Sequence, residues 1–186
     1  YIITILLFFS CSKNSHSYDF SKSCKKTSNF SLENRLKNYP FNISKKIVFI
    51  YYIENNLKRE RKPNGTQLTN YLNELKARET KFYIHDVHQA YVLNNTNIDE
   101  LTNLFYNIGE NEGTNVTMMI SGCFYYKNAI LFLDENNYLI DYIKFSFDCR
   151  REESSNSAVT TGKRCTYKFN LIENFFNKYA IRTISP

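Results

Sequence analysis

The residues best equipped for chemistry are His85, Asp86 and His88, in the run His85-Asp86-Val87-His88. Two imidazoles and a carboxylate within four positions are the ingredients of a metal grip or of an acid–base pair. What they can do depends on the element that carries them. On a helix, His85 and His88 would share a face and could hold one metal together. On a strand they would point to opposite faces, and the β-rich stretch from Lys81 to Leu93 favours the strand. The remaining histidine, His16, lies far upstream. His85 and His88 are thus the candidate metal or acid–base residues, but a strand would splay them apart, and no metal or cofactor is expected.

Cysteine offers a second set of possibilities. None of Cys11, Cys24, Cys123, Cys149 and Cys165 sits in a Cys-x-x-Cys pair, so a thiolate zinc site is not expected. Ser121-Gly122-Cys123 lacks the Gly-x-Ser-x-Gly spacing of a nucleophile elbow. No phosphate loop or dinucleotide fingerprint occurs, and with Gly 5 there is little glycine to build one.

Cys11 points to lipidation. Tyr1 to Phe9 is an apolar and aromatic run, too short for a bilayer that needs about 20 residues but fitting a signal-peptide core of about 7–15. Leu7-Phe8-Phe9-Ser10-Cys11 resembles a bacterial lipobox, in which a small residue precedes the cysteine that becomes diacylated. Phe9 stands where that motif carries a small or β-branched residue. Ser12 to Ser31 is rich in Ser, Lys and Asn and has no apolar period. The expected organisation is a signal peptide over 1–10, a lipidated cysteine and polar tether over 11–44, and one globular domain over 45–186. The expected address is the cell envelope, lipid-anchored at the outer membrane and either periplasmic or surface-exposed.

With Cys11 lipidated, four cysteines remain, an even number in an oxidising compartment. Cys149 and Cys165 bracket the polar stretch Arg150 to Arg164, and closing such a loop of about 15 residues contributes about 3 kcal/mol. A Cys149–Cys165 disulfide is expected, with Cys123–Cys149 the next candidate; Cys24 lies in the tether, where a pairing with Cys123 stays open.

The framework behind these residues reads as α+β, an antiparallel sheet with helices packed mainly on one face. Ile47 to Ile53 is a continuous apolar run, suiting a strand covered on both faces. Leu68, Tyr71, Leu72 and Leu75 follow at helical spacing behind Thr66, a helix cap. A second helix starts at Thr96 or Asn97 with Asp99 and Glu100 in its first turn. Its apolar face is Ile98, Leu101, Leu104, Phe105 and Ile108, and Gly109 stops it. Ala129 to Leu133 and Tyr138 to Phe147 flank the turn Asp134-Glu135-Asn136-Asn137 as a hairpin. Its second strand turns Ile143, Phe145 and Phe147 inward and Tyr142, Lys144 and Ser146 outward. A polar loop then leads to a last helix bearing Phe169, Ile172, Phe175, Phe176 and Tyr179 on one face.

Composition bounds the function. A 186-residue chain with 42% hydrophobic and 16% aromatic residues has enough apolar mass for one domain with a real core. The net charge of +6 is spread over short runs such as Lys25-Lys26, Lys58 to Lys62 and Lys163-Arg164. No helix or loop gathers it, so a nucleic-acid partner is not expected. The sequons at Asn29, Asn42, Asn64, Asn94 and Asn115 follow from an Asn-rich composition.

Three segments carry a resemblance: Cys123 to Asp134, Tyr142 to Cys149, and Cys165-Thr166-Tyr167-Lys168 with the closing Phe175-Phe176 helix. Together they resemble a group of small Bacteroidota lipoproteins. In that group a Cys-Tyr-x-Pro-Arg-Asn-Ala-Ile segment leads into a hairpin ending in Cys-Phe-x-Cys, and a further cysteine precedes a terminal helix. Here Ser146 stands in place of the first hairpin cysteine, so thiol exchange by that pair is closed to this chain, and Tyr126-Lys127 replaces Pro-Arg. The resemblance implies an address and a fold, and no activity.

The expected function is therefore a non-enzymatic binding or structural protein of the envelope, holding the membrane through its lipid and a protein or glycan as ligand. The alternative is a small envelope hydrolase using His85 and His88 with Asp86, or a cysteine. Convergence of the histidines and a carboxylate in one pocket would favour the enzyme.

Overall fold

The computed structural model describes residues 24–53, 67–78, 80–110, 125–165, 167–179 and 181. Residues 1–10, Cys11, His16, Thr66, the basic run 57–65 and Ser121-Gly122-Cys123 lie outside this set. In chain order the elements are β1 (Lys25–Lys26), α1 (Leu32–Leu36), β2 (Lys46–Tyr51), α2 (Gln67–Lys76), β3 (Gln89–Val92), α3 (Asn95–Tyr106), β4 (Ile108–Gly109), β5 (Asn128–Leu133), β6 (Leu139–Ser146), β7 (Arg151–Ser154) and α4 (Lys168–Lys178). The fold is α+β: an antiparallel five-stranded sheet ordered β3-β2-β5-β6-β7, with a two-stranded ribbon of β1 and β4 beside it.

The β5–β6 hairpin forms as its turn residues require. The Asp134 carboxylate accepts from the Asn136 amide at 2.8 Å and the Tyr138 amide at 2.9 Å. Asn137 takes the left-handed conformation, φ 67°, which asparagine tolerates better than most residues. This closure sets Ile130 opposite Ile143 and so fixes which side chains face which layer.

Alternation along β2 makes two cores. Ile47, Phe49 and Tyr51 join Leu101 and Phe105 of α3 and Ile172, Phe175 and Phe176 of α4. Val48 and Ile50 face the other way, onto Leu68, Leu72 and Leu75 of α2. Phe176 lies at the centre of the first core, stacked on Phe49 at 4.1 Å and set edge-on to Phe145 and Phe147 at 5.7 and 5.4 Å. The inward placement of Ile143, Phe145 and Phe147 beneath the last helix is as the alternation predicts.

The opposite side of β6 is not the solvent face its residues suggest. Tyr142, Lys144 and Ser146 are all buried, and α2 packs on this side of β6, with Asn73 against Tyr142 and Thr69 against Lys144. Lys144 survives there by keeping its ammonium satisfied. Its Nζ donates to Thr69 Oγ1 at 2.8 Å, pairs with Glu153 at 2.9 Å and sits 4.4 Å from the Tyr126 ring centroid. A polar identity reads as outward, but a long side chain can bury its stem and pair its head.

Four further expectations give way. Residues 24–44 are packed, so they belong to the domain and are not a tether. Ribbon β1–β4 holds them, the Asn107 side chain accepts from the Phe30 amide at 2.8 Å, and Phe41 enters the main core against Phe132 at 5.0 Å. Arg35, 6% exposed, reaches the carbonyl of Asp99 at 2.7 Å and Thr102 Oγ1 at 3.0 Å. Such isolated anchors produce no periodic signal. Helix α3 starts behind an Asn94 cap, with Asn97 completing a capping box, and ends at Tyr106, leaving Ile108 and Gly109 to pair with β1. The polar stretch after Arg150 is partly a strand, β7, along β6. Finally, Cys165 is joined to Cys24, with Cα atoms 5.3 Å apart, and not to Cys149. Because β7 folds back along β6, Cys165 is carried to the ribbon where Cys24 lies. Cys149 is disulfide-bonded as well, to a partner outside the described residues.

Candidate functional site

Lys81 to Val87 is not a strand. It is a crossing segment with a single 3-10 turn, Ile84–Asp86, and only Gln89–Val92 joins the sheet. The segment is pinned at Phe82, which is 4% exposed and whose amide donates to the Asn137 carbonyl at 2.9 Å. Lys81 leans over the Tyr138 ring at 5.2 Å. Pinned in this way, the segment stands off from the sheet and leaves a cavity of about 360 Å³ beneath it.

The floor of the cavity is apolar: Val48 of β2, Val92 of β3, Leu133 at the end of β5, and Phe82. One wall is Tyr83, Ile84 and His85, with the Tyr83 and His85 rings stacked at 5.4 Å. The lip is polar, where Lys46 Nζ donates to Asn137 Oδ1 at 2.7 Å. Ile84 and Val92 are 58% and 45% exposed and give the cavity an apolar rim. The volume falls in the range of small-ligand pockets, about 300–1,000 Å³. Such a space can take an apolar or flat group and offer it one cationic contact, from Lys46.

The candidate histidines separate here. His85 lines the cavity, its Nε2 3.5 Å from Asp86 Oδ1 and its side chain 80% exposed. His88 instead packs edge-on against Tyr51 at 5.8 Å, and Tyr51 belongs to the core on the other side of the sheet. The two imidazoles therefore attend opposite faces, as a strand would have placed them, although the turn at Ile84–Asp86 is what does it. Among the described residues no three His, Cys, Asp or Glu side chains gather as a metal site would.

Two charged clusters that the sequence did not single out lie in the interior. Asp141, in mid-β6 and with no exposed side-chain surface, accepts from Tyr39 OH, from Asn156 Nδ2 at 2.6 Å and from Lys76 Nζ at 2.9 Å. A carboxylate, a phenol and an ammonium are acid–base equipment, but full burial leaves a substrate no approach to the carboxylate. Its effect is to tie the Tyr39 turn, α2 and the segment after β7 to one strand. An aspartate among Leu139, Ile140, Tyr142 and Ile143 was the signal available in the sequence.

Lys168, 3% exposed, donates to the carbonyls of Phe105, Ile108 and Lys163 at 2.9, 2.9 and 2.7 Å. Burial pulls its ammonium down to about 8, opposed by the nearby Glu152 carboxylate. A cation at the carboxyl end of α3 meets the negative pole of the helix, so the cluster is a joint between α3 and α4. Gly162 completes it: φ is 78°, and a Cβ there would lie 2.0 Å from the Phe105 carbonyl oxygen.

The buried hydroxyls give a pH dependence with a definite sign. Burial raises Tyr106 and Tyr126 from 10.0 to about 12, and it is the leading cause of the rise at Tyr39, Tyr71 and Tyr142. The unfolded chain gives up these protons near pH 10 and the folded chain later, so above pH 10 the unfolded state binds fewer protons. Stability is then lost as pH rises from about 10 through the folded values. Tyrosinate absorbance from these five should therefore appear together with unfolding. Their reversible titration near pH 10 in a chain that stays folded would contradict this.

Compared with protein-family models, curated proteins and solved structures, the chain matches none.

Proposed function

We propose that this chain is a lipid-anchored protein of the bacterial cell envelope that binds an apolar or aromatic group of a protein or glycan without turning it over. The observation that carries the binding half is the cavity under residues 82–85, open to solvent, apolar in its floor and edged by Lys46. The anchor half rests on the Tyr1 to Ser10 run before Cys11, on the lipobox resemblance, and on the likeness to small Bacteroidota lipoproteins. Disulfide bonds at Cys24, Cys149 and Cys165 accord with an oxidising compartment. The hydrolase reading has the His85–Asp86 pair in its favour, but His88 is turned to the opposite side of the sheet, and the described cysteines carry no free thiol to act as nucleophile.

The cavity is tested with 1-anilinonaphthalene-8-sulfonate, whose fused ring suits the floor and whose sulfonate suits Lys46. The native chain should bind it saturably at one site. Val92→Asp places an unpaired carboxylate at the floor and should weaken binding about tenfold or more, whereas His88→Ala, outside the cavity, should leave it unchanged. Equal binding by Val92→Asp and the native chain would remove the cavity from the account. An ester-hydrolysing activity lost in His85→Ala would establish the enzyme instead.

A further inference from the structure

At one pole of the molecule, around the ribbon and the Cys24–Cys165 bond, the fold gathers cations that are scattered in the sequence. Lys25 stands directly opposite Gly109 in the ribbon, and Lys26 opposite Ile108. Paired residues of an antiparallel ribbon project from the same face, so the missing Gly109 side chain leaves a vacancy beside Lys25. Lys163 fills it: a Cβ on Gly109 would lie 2.6 Å from Lys163 Cβ. Lys25 and Lys163 thus emerge together. Arg164 follows at once, and Cys165 then bonds Cys24, which immediately precedes Lys25. All four cations are exposed, and none is in an ion pair with another described residue. The neighbouring carboxylates are Glu152, half-buried and near Arg164, and Glu110, which alternation places on the Lys26 side of the ribbon.

We infer that the face of this pole bearing Lys25, Lys163 and Arg164 is a docking surface for anionic phospholipid headgroups, Lys26 pointing to the other face of the ribbon. The inference deepens the proposed function and rests on its anchor. Cys24 lies 13 residues from Cys11, a reach of about 45 Å at most, and Lys13 and Lys22 fall within that interval. The disulfide and the ribbon fasten the incoming chain at this pole, so the same end of the domain is the one held near a bilayer. One lipid modification holds a protein only marginally, and a basic patch supplies the second attraction. Because the patch sits on a rigid ribbon, it also orients the domain on the membrane.

The test uses the full chain carrying Cys11→Ser, so that no acyl chain contributes, on vesicles of phosphatidylglycerol or of phosphatidylcholine. Phosphatidylcholine measures whatever residues 1–9 insert, and the surplus on phosphatidylglycerol measures the patch. K25Q/K163Q/R164Q should lower that surplus about 100-fold, taking each cation at its usual effect near an anionic surface. K37Q/K45Q/K178Q removes as much charge elsewhere and should lower it less than about threefold. Raising salt to about 0.5 M should abolish the native surplus, a result that needs no variant to fold. Equal losses in the two variants would mean net charge alone and overturn the inference. So would binding of heparin in place of vesicles, or a surplus indifferent to salt. Intact mass at Cys11 fails or succeeds separately, so a false anchor and a false patch are told apart.

Discussion

Replacing Cys24 and Cys165 together by serine should cost up to about 5 kcal/mol. The bond spans 141 residues, and the entropy that a crosslink removes from the unfolded chain grows with the closed loop. The second disulfide, at Cys149, already constrains part of that chain, so the figure is an upper bound. Against a total stability of about 5–15 kcal/mol for a domain, such a loss threatens folding at physiological temperature. The folded state feels it too, since the bond sets β1 beside β4 and pins the entry to α4. Denaturant midpoints with and without the substitutions measure the effect under oxidising conditions. Peptide mapping of the native chain should recover Cys24–Cys165 and, if Cys11 is lipidated, Cys123–Cys149. A change below about 1 kcal/mol would mean that the ribbon alone holds the N-terminal segment.

Phe145→Ala should cost about 3–5 kcal/mol, the usual range for a fully buried aromatic ring. Phe145 has no exposed surface and lies against Phe147 at 5.5 Å, Phe169 at 6.5 Å and Phe176 at 5.7 Å. These rings come from β6, the turn after it and α4, so a void there loosens the contact between helix and sheet. The neighbouring backbone is fixed by strand pairing on both sides of β6, which limits collapse of the void. Thermal unfolding of the variant measures the cost. A loss under about 1 kcal/mol would mean that α4 repacks freely, and that the aromatic core does not determine its seat.

The parts of the fold that were legible in the sequence are those whose signal is local and periodic. Asp134 to Asn137 reads as a turn because a carboxylate and two asparagines suit one, and the alternation of Ile143, Phe145 and Phe147 follows from the pleat. The face of α4 reads equally well. What stayed hidden is held by single, long-range contacts. Arg35 and Phe41 anchor residues that look like a tether, and nothing at Cys24 announces Cys165 as its partner. Lys144 and Asp141 are polar in sequence yet buried, because their partners come from α2, β7 and the Tyr39 turn. The cavity was half legible: His85 was marked for its imidazole, but its neighbours Tyr83, Ile84 and Val92 come together only because the segment from Lys81 turns where a strand was expected.

The central claim is that this chain is a lipoprotein, and intact-mass spectrometry of the protein extracted from membranes tests it most directly. The account predicts a mature chain that begins at Cys11, with Tyr1 to Ser10 removed and the mass of acyl chains added at that cysteine. A chain that keeps residues before Cys11, or that carries Cys11 as an unmodified thiol, would contradict it.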